Sequence, residues 1–202
     1  MIKVSSIINR FLVLDLETSG LPIKYTCGHQ VESIPYYSTC RILSICYGVF
    51  DSINDFKKDK LVTNLVSHSI DYEPNATALL VNKLTKDQCQ HDGIPIFQTG
   101  ILEALSECDT IVSYNVSFDY NVLMSELLRY NYIVPNKLAF CAMEYVTDVH
   151  KLRKNIKLSH ACEMYLSAKY NFHNACDDVT AMCELLKVTL KKHKQSLVNH
   201  QK

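Results

Sequence analysis

The sequence lacks any surplus of charge. Its 21 basic side chains balance 21 acidic ones, so the formal net charge is zero. Proteins that coat nucleic acid are usually strongly basic, so neutrality argues against a histone-like or strand-coating role. It leaves room for an enzyme that contacts only a few nucleotides. The apolar and charged fractions, 48% and 21%, are those of an ordinary globular protein.

Long apolar segments are also absent. No stretch approaches the roughly 18 to 20 apolar residues that a membrane-spanning helix needs, and residues 1–10 lack the features of a secretory leader. The nine cysteines are odd in number, irregularly spaced and without a C-x-x-C pair. This favours reduced thiols in an intracellular, cytoplasmic protein with no membrane contact. No G-x-S-x-G, P-loop or G-x-G-x-x-G motif occurs, so those chemistries have no support.

No repeat, low-complexity tract or Gly/Ser/Pro-rich linker interrupts the chain, which predicts one domain over residues 1–202. Its core is expected over about residues 11–190, and the polar tail 191–202 is expected to fray from a final helix. Apolar runs and periodicity predict strands and helices in an order typical of an α/β or α+β layer fold. The predicted strands are 11–14, 41–50, 60–66 (an edge strand) and 110–113, and the predicted helices are 101–105, 117–130 (capped by Ser117), 158–168 and a last one capped by Asn174.

The first candidate site is the pair Asp15 and Glu17. Alternate side chains share one face of a strand, so both carboxylates point the same way at the end of an apolar run. Two adjacent carboxylates in a core are costly unless a cation neutralises them, and Mg²⁺ or Mn²⁺ prefers such oxygens. The alternative is a strand that simply ends in a polar turn.

Two further segments carry acidic residues at the start of predicted helices. Asp119 follows a buried strand and a short loop, where it could equally complement the helix dipole. In the second segment His173 precedes Asn174, which places Asp177 at the third helical position, where it could reach back as a cap. Asp178 points elsewhere and is therefore the better ligand candidate.

Together these segments resemble the DEDDh group of 3′→5′ exonucleases. The resemblance spans residues 11–186 and rests on three motifs in the same order. Tyr114 stands where many members have a histidine, next to the second motif. The motifs are D-x-E before a Thr/Ser-Gly turn (DLETSGLP, residues 15–22), Asn-x-x-Phe-Asp (Asn115, Phe118, Asp119) and His-x-Ala-x-x-Asp (His173, Ala175, Asp178).

The resemblance implies a ribonuclease H-like α/β fold, with a central mixed β-sheet flanked by α-helices. It implies hydrolysis of phosphodiester bonds at the 3′ end of single-stranded DNA or RNA, with release of nucleoside 5′-monophosphates. The choice between DNA and RNA stays open. By the same resemblance, Asp15, Glu17, Asp119 and Asp178 hold two Mg²⁺ or Mn²⁺ ions, His173 is the general base, and Thr18, Leu21, Asn115 and Phe118 contact the nucleotide.

Three features of the sequence allow other interpretations. A ribonuclease H-like module without catalysis could bind a strand end or a protein partner, but the complete set of four acids and His173 argues against it. Cys27, His29 and Cys40 could be zinc ligands, but their spacing fits no common finger. The basic run over residues 151–157 is either a solvated surface or a contact for strand phosphates.

Overall fold

Five strands form one sheet at the centre of the fold. A computed structural model describes residues 10–24, 35–69 and 71–199, and the sheet lies within them. The strands are β1 (Phe11–Thr18), β2 (Ile42–Phe50), β3 (Val62–Leu65), β4 (Thr110–Ser113) and β5 (Leu138–Cys141). Their order is β3-β2-β1-β4-β5. β1 pairs antiparallel with β2 and parallel with β4, so the sheet is mixed as predicted.

Helices cover both faces of this sheet. None of the described helices combines the length and the apolar content that crossing a membrane requires. The helices are α1 (Ala76–Asn82), α2 (Lys86–Asp92), α3 (Ile101–Ser106), α4 (Val116–Arg129), α5 (Ala142–Val149), α6 (Leu158–Tyr165) and α7 (Ala175–Asn199).

The alternation of side chains along β1 divides the core into two layers. Leu12, Leu14 and Leu16 pack with residues of α3 and α4. Phe11 and Val13 point to the other face and pack with residues of α5, α6 and α7. Because both faces are covered over residues 11–14, this part of the strand is apolar at every position, which explains its unbroken apolar run.

The predicted end of β1 and the predicted start of α4 were wrong. β1 continues to Thr18 rather than stopping at Leu14, because its pairing with β2 persists through Glu17 opposite Ser44. α4 starts one residue earlier than predicted, and its N-cap is Asn115 instead of Ser117. The Asn115 carbonyl accepts the first helical hydrogen bonds, which makes Asn115 the cap by geometry.

The predicted ends of the last two helices were also wrong. α6 ends at Tyr165, short of residue 168, because Leu166 takes an extended backbone and packs against the core. α7 remains helical through Asn199, whereas fraying was expected from residue 191. His193 explains part of this order, since its Nδ1 lies 2.9 Å from the Tyr145 hydroxyl of α5. Residues 200–202 lie outside the described part of the chain.

A buried ion network fixes the turn that follows β1. The Arg41 guanidinium donates to the Glu126 carboxylate at 3.0 and 3.2 Å. Burial raises the pKa of Glu126. The net result is nevertheless a pKa lowered to about 2, because Glu126 accepts hydrogen bonds from His68 and Arg41 and lies near the charges of Arg129 and Arg41. The backbone of Arg41 also holds Ser19 through two hydrogen bonds. The Arg41 N–H donates to the Ser19 Oγ at 3.0 Å, and the Ser19 N–H donates to the Arg41 carbonyl at 2.8 Å. The turn after the carboxylates of β1 is therefore anchored to the core.

Candidate active site

Two carboxylates on β1 meet a third from α7. Asp15 and Glu17 continue the face that begins with Phe11 and Val13, and that face packs on α7. Asp178 lies in the first turn of α7. One oxygen from each of the three carboxylates lies within 4.8 Å of the other two. All three side chains are partly exposed, so the group opens to solvent.

The fourth predicted acid, Asp119, is buried beside this group. It lies in the first turn of α4, where the Ser113 hydroxyl donates a hydrogen bond to its Oδ2. The backbone N–H of Leu16 also donates to it. The charge of Asp119 raises the pKa of both Asp15 and Glu17, which places it electrostatically within the same group. The structure thus brings three of the four acids of the sequence motifs together and places the fourth, Asp119, against the β1 backbone at Leu16.

Crowding and burial make these carboxyls unusually basic. Burial is the largest cause in each, followed for Asp15 and Glu17 by the charges of the other acids. The pKa of Asp15 is raised well above its usual value. The pKa of Glu17 is raised to about 8 and that of Asp119 to about 7. The pKa of Asp178 is raised to about 6, although a hydrogen bond from the His173 backbone opposes the shift. Without a cation, part of this group is therefore protonated at neutral pH.

The donor set fits a hard divalent cation. Asp178 accepts a hydrogen bond from the His173 backbone N–H at Oδ2, 3.1 Å away. Its other oxygen, Oδ1, is buried and has no hydrogen-bond partner among the described residues. Buried oxygens are normally satisfied, and carboxylates are the ligands that Mg²⁺ and Mn²⁺ prefer. An ion at this group would satisfy Oδ1 and neutralise the acids.

His173 precedes α7 in a left-handed backbone conformation, with φ of 67°. Its side chain is exposed. Asn174 caps the helix as predicted, because its Oδ1 accepts from the Asp177 N–H at 3.2 Å. The reach-back role predicted for Asp177 was wrong. Its carboxylate instead pairs with Lys58 at 2.7 Å, and Asp178 accepts the backbone hydrogen bond.

A cavity of about 470 Å³ opens beside Asp178 and is called the His173 cavity here. Part of its lining comes from α7 and the preceding loop, and part from the segment that leads into α6. The lining residues are Tyr114, Met143, Asn155, Ile156, Lys157, Leu158, Ser159, Phe172, His173 and Asp178.

A second cavity of about 470 Å³ lies beside Glu17 and is called the Phe118 cavity. It contains three of the four residues predicted to contact a nucleotide: Thr18, Leu21 and Phe118. The fourth, Asn115, lines neither cavity. The carboxylates thus lie between two openings. The residues that line this cavity are Leu16, Glu17, Thr18, Gly20, Leu21, Asn75, Thr77, Ala78, Val81, Asn82 and Phe118.

Sequence reasoning missed the wall that α1 supplies to the Phe118 cavity. The Asn82 side-chain amide donates to the Thr18 carbonyl at 3.0 Å, and the Asn75 N–H donates to the Ser19 carbonyl at 2.7 Å. These two contacts hold α1 against the turn after β1. The only local signal was Asn75 itself, whose side chain caps α1.

The cysteine and histidine residues that could be zinc ligands by sequence give no site in the described residues. Cys27 and His29 lie outside the described part of the chain. Cys40 is buried in the core layer formed with α3 and α4. Its thiol pKa is raised to about 11, chiefly by burial, which disfavours the thiolate that binds zinc.

We expect Mg²⁺ to raise the melting temperature more at pH 8 than at pH 6. The raised pKa values mean that the metal-free folded state holds protons that a cation must displace. These protons leave as pH rises through about 6 to 8, so the metal-free protein loses stability over that window while metal affinity increases. Thermal unfolding with EDTA or with Mg²⁺ at both pH values measures the difference. An equal rise in melting temperature with Mg²⁺ at pH 6 and pH 8 would contradict cation binding at these carboxylates.

Comparisons with known proteins identify the family and the fold. The family model RNase_T, described as exonuclease, matches residues 12–186. The fold is similar to that of Escherichia coli exonuclease I bound to single-stranded DNA in its zinc form, with a TM-score of 0.75 at 19% identity. It is equally similar to the complex of that enzyme with a dA16 oligonucleotide, with a TM-score of 0.75 at 18% identity. The ribonuclease H-like fold is thereby confirmed.

These similarities cover most of this chain but a minor part of the other proteins. The matches span 95% and 93% of this chain, and 42% of each exonuclease I chain. The apo form of exonuclease I gives a TM-score of 0.72 at 16% identity, over 93% of this chain and 43% of that one. No curated protein sequence matches this chain significantly.

Proposed function

The chain belongs to the RNase_T family of exonucleases, and on this basis we propose that it removes nucleotides singly from the 3′ end of a single-stranded nucleic acid. The observation that carries the proposal is the convergence of Asp15, Glu17 and Asp178 within 4.8 Å, between two cavities. Single-stranded DNA is the first substrate to test, since the similar exonuclease I structures contain it. RNA remains the second.

Asp15, Glu17, Asp119 and Asp178 are proposed to hold two Mg²⁺ or Mn²⁺ ions. Such ions, when bound, favour deprotonation of the attacking water and stabilise the charge on the leaving 3′-oxygen. The four carboxylates would otherwise repel a phosphodiester, so the acids alone cannot bind the scissile group. The Ser113 hydroxyl and the Leu16 N–H orient Asp119 for this task.

His173 is proposed to accept a proton from the attacking water. It lines the same cavity as Asp178, and its backbone N–H holds the Asp178 carboxylate at 3.1 Å. This contact couples the position of the base to that of a ligand. A positioned base of this kind contributes roughly 10²- to 10⁴-fold to the rate of proton abstraction reactions.

The Phe118 cavity is proposed to receive the terminal nucleotide. Phe118 offers an aromatic face to a base or sugar, and Leu21, whose side chain is 68% exposed, lies at the rim. Stacking on an aromatic ring tolerates any base, which suits an enzyme that shortens a strand stepwise. Thr18, fixed by its hydroxyl hydrogen bond to the Gly20 carbonyl at 2.8 Å, lines this cavity next to Glu17.

The experiment that tests the function follows a single strand labelled at its 5′ end. In Mg²⁺ or Mn²⁺ the label should move down a ladder of single-nucleotide steps, with release of nucleoside 5′-monophosphates. A closed circular single strand should resist, because it offers no 3′ end. Parallel DNA and RNA strands rank the two substrates. Cleavage of the circle at a comparable rate would leave a general nuclease in place of an exonuclease, and binding without release would favour a non-catalytic module.

A further inference from the structure

A basic segment leads out of the His173 cavity. It comprises residues 151–157, between the end of α5 and the start of α6, and is called the basic segment here. Its cationic side chains are all exposed. No hydrogen bond or ion pair joins any of them to another residue in the part of the chain that the structure describes. These cations are Lys151, Arg153, Lys154 and Lys157.

The basic segment is nevertheless fixed to the protein between its cations. The Leu152 N–H donates to the Thr147 carbonyl of α5 at 2.9 Å. The Thr147 hydroxyl donates to Asn155 Oδ1, also at 2.9 Å. Ile156 packs against the core, and its carbonyl accepts from the Tyr114 hydroxyl at 2.9 Å. The segment therefore has a defined path, with its apolar residues Leu152 and Ile156 partly buried and its cations exposed.

The C-terminal end of the basic segment lies at the candidate active site. Asn155, Ile156 and Lys157 line the cavity that also contains His173 and Asp178. The other three cations lie on the same segment, further from the cavity. Because the chain has no net charge, such a local excess of unpaired cations gives this rim a positive potential that attracts anions.

We propose that Lys151, Arg153 and Lys154 bind the phosphates of the strand upstream of the scissile bond. The inference rests on the proposed function, because it takes the 3′ end to lie at the carboxylates. A strand with its end between the two cavities must leave the site over a rim, and this rim matches its charge. The contacts set the length of strand that the enzyme holds, and they carry no base specificity.

Tyr114 is the positioning residue for this surface. It follows β4 directly, where many members of the family have a histidine, and its side chain is 9% exposed. Its hydroxyl holds the Ile156 carbonyl, 42 residues further along the chain. Tyr114 thereby joins the end of the sheet, beside Asp119, to the basic segment.

The test compares two triple variants with equal loss of charge. Lys151→Gln/Arg153→Gln/Lys154→Gln removes the proposed contacts, and Lys57→Gln/Lys60→Gln/Lys191→Gln removes three exposed cations elsewhere. Binding of a long, 5′-fluorescein-labelled single strand is measured by anisotropy in EDTA at two salt concentrations. Single-strand binding varies with salt by a power of about 0.7 per phosphate contact. Between about 50 and 200 mM salt, the wild type should therefore lose roughly 20-fold more affinity than the first variant.

The outcomes separate this inference from the proposed function. The control variant should keep the wild-type salt dependence, and equal salt dependence in both triple variants overturns the inference. The KM for nucleotide release should rise in the first variant for long strands, and the difference from wild type should disappear for a dinucleotide. If the wild type releases nucleotides and the first variant keeps the wild-type salt dependence, only this inference fails. If the first variant has a weaker salt dependence but the wild type releases no nucleotides, the surface is supported and the proposed function fails.

Tyr114→Phe tests the positioning role. It removes only the hydroxyl, so it should raise the KM for a long strand several-fold in the wild-type background. In the background of Lys151→Gln/Arg153→Gln/Lys154→Gln it should have no further effect on KM, because the contacts that it positions are gone. Equal effects in both backgrounds would show that Tyr114 acts on the fold or the active site instead.

Discussion

Replacing Asp15 by asparagine is expected to abolish nucleotide release in Mg²⁺ or Mn²⁺ while the protein stays folded. A carboxylate oxygen of Asp15 lies within 4.8 Å of oxygens of Glu17 and Asp178. The charge of Asp119 also raises the pKa of Asp15. The variant removes one anionic ligand from the group, so the remaining carboxylates should no longer bind two divalent cations. EDTA should abolish the activity of the wild-type protein in the same way. The measurement is nucleotide release from a labelled strand across a metal titration.

The stability of this variant is part of the same expected result. The pKa of Asp15 is raised by burial and by three neighbouring acids, so its ionised form is unfavourable in the metal-free fold. Asp15→Asn should therefore melt at the wild-type temperature or above it in EDTA at pH 8. A lower melting temperature together with lost activity would indicate damage to the fold, and the loss could no longer be assigned to metal binding. Full activity of the wild type in EDTA would defeat the two-metal mechanism.

Asp177 and Asp178 provide a matched pair of carboxylates on adjacent residues. Asp178→Asn should be inactive, as for Asp15→Asn. Asp177→Asn should release nucleotides at nearly the wild-type rate, because its carboxylate pairs with Lys58 and lines neither cavity. Both side chains of that pair are partly exposed, so its loss should cost about 0.2 to 1 kcal/mol of stability. An inactive Asp177→Asn beside an active Asp178→Asn would move the third motif by one residue.

The sequence predicted the centre of the sheet well because its signals are local. The apolar run of β1, residues 11–14, and the β4 strand TIVS are buried on both faces, and each forms a short run that is apolar or carries only small hydroxyl side chains. β5, with the sequence LAFC, was missed because four residues at a sheet edge give no periodicity that distinguishes a strand from a loop. α1 was missed for a different reason: none of its residues is buried, so it has no apolar stripe.

The candidate site was predictable only in part. Alternation along a strand places Asp15 and Glu17 on one face, and this follows from the sequence alone. Asp178 reaches them from 161 residues beyond Glu17 in the chain, which no local pattern encodes. The order of the family motifs supplied that expectation. The reach-back hydrogen bond expected of Asp177 is made by Asp178 instead, which accepts from the His173 backbone N–H. Lys58, the partner of Asp177, comes from a distant turn and could not be anticipated.

Replacing His173 is expected to reduce turnover by roughly 10² to 10⁴, the usual contribution of a positioned general base. The backbone of His173 makes the choice of variant important, because its φ of 67° is unfavourable for any side chain with a Cβ. Alanine would retain that strain while it removes the imidazole, whereas glycine removes both. His173→Gly should therefore be at least as stable as His173→Ala and equally slow. His91→Ala, which removes an exposed histidine near the end of α2, is the control and should keep the wild-type rate.

Two measurements then separate the chemical role of His173 from a structural one. The backbone N–H that binds Asp178 survives in both variants, so the metal titration should stay close to that of the wild type. Free imidazole added to His173→Gly should restore part of the rate, because the vacated volume lies in an open cavity beside Asp178. Imidazole should do nothing for Asp178→Asn, in which a ligand and not the base is missing. Wild-type turnover in His173→Gly would show that another group accepts the proton, and a rate loss confined to His173→Ala would assign the effect to backbone strain.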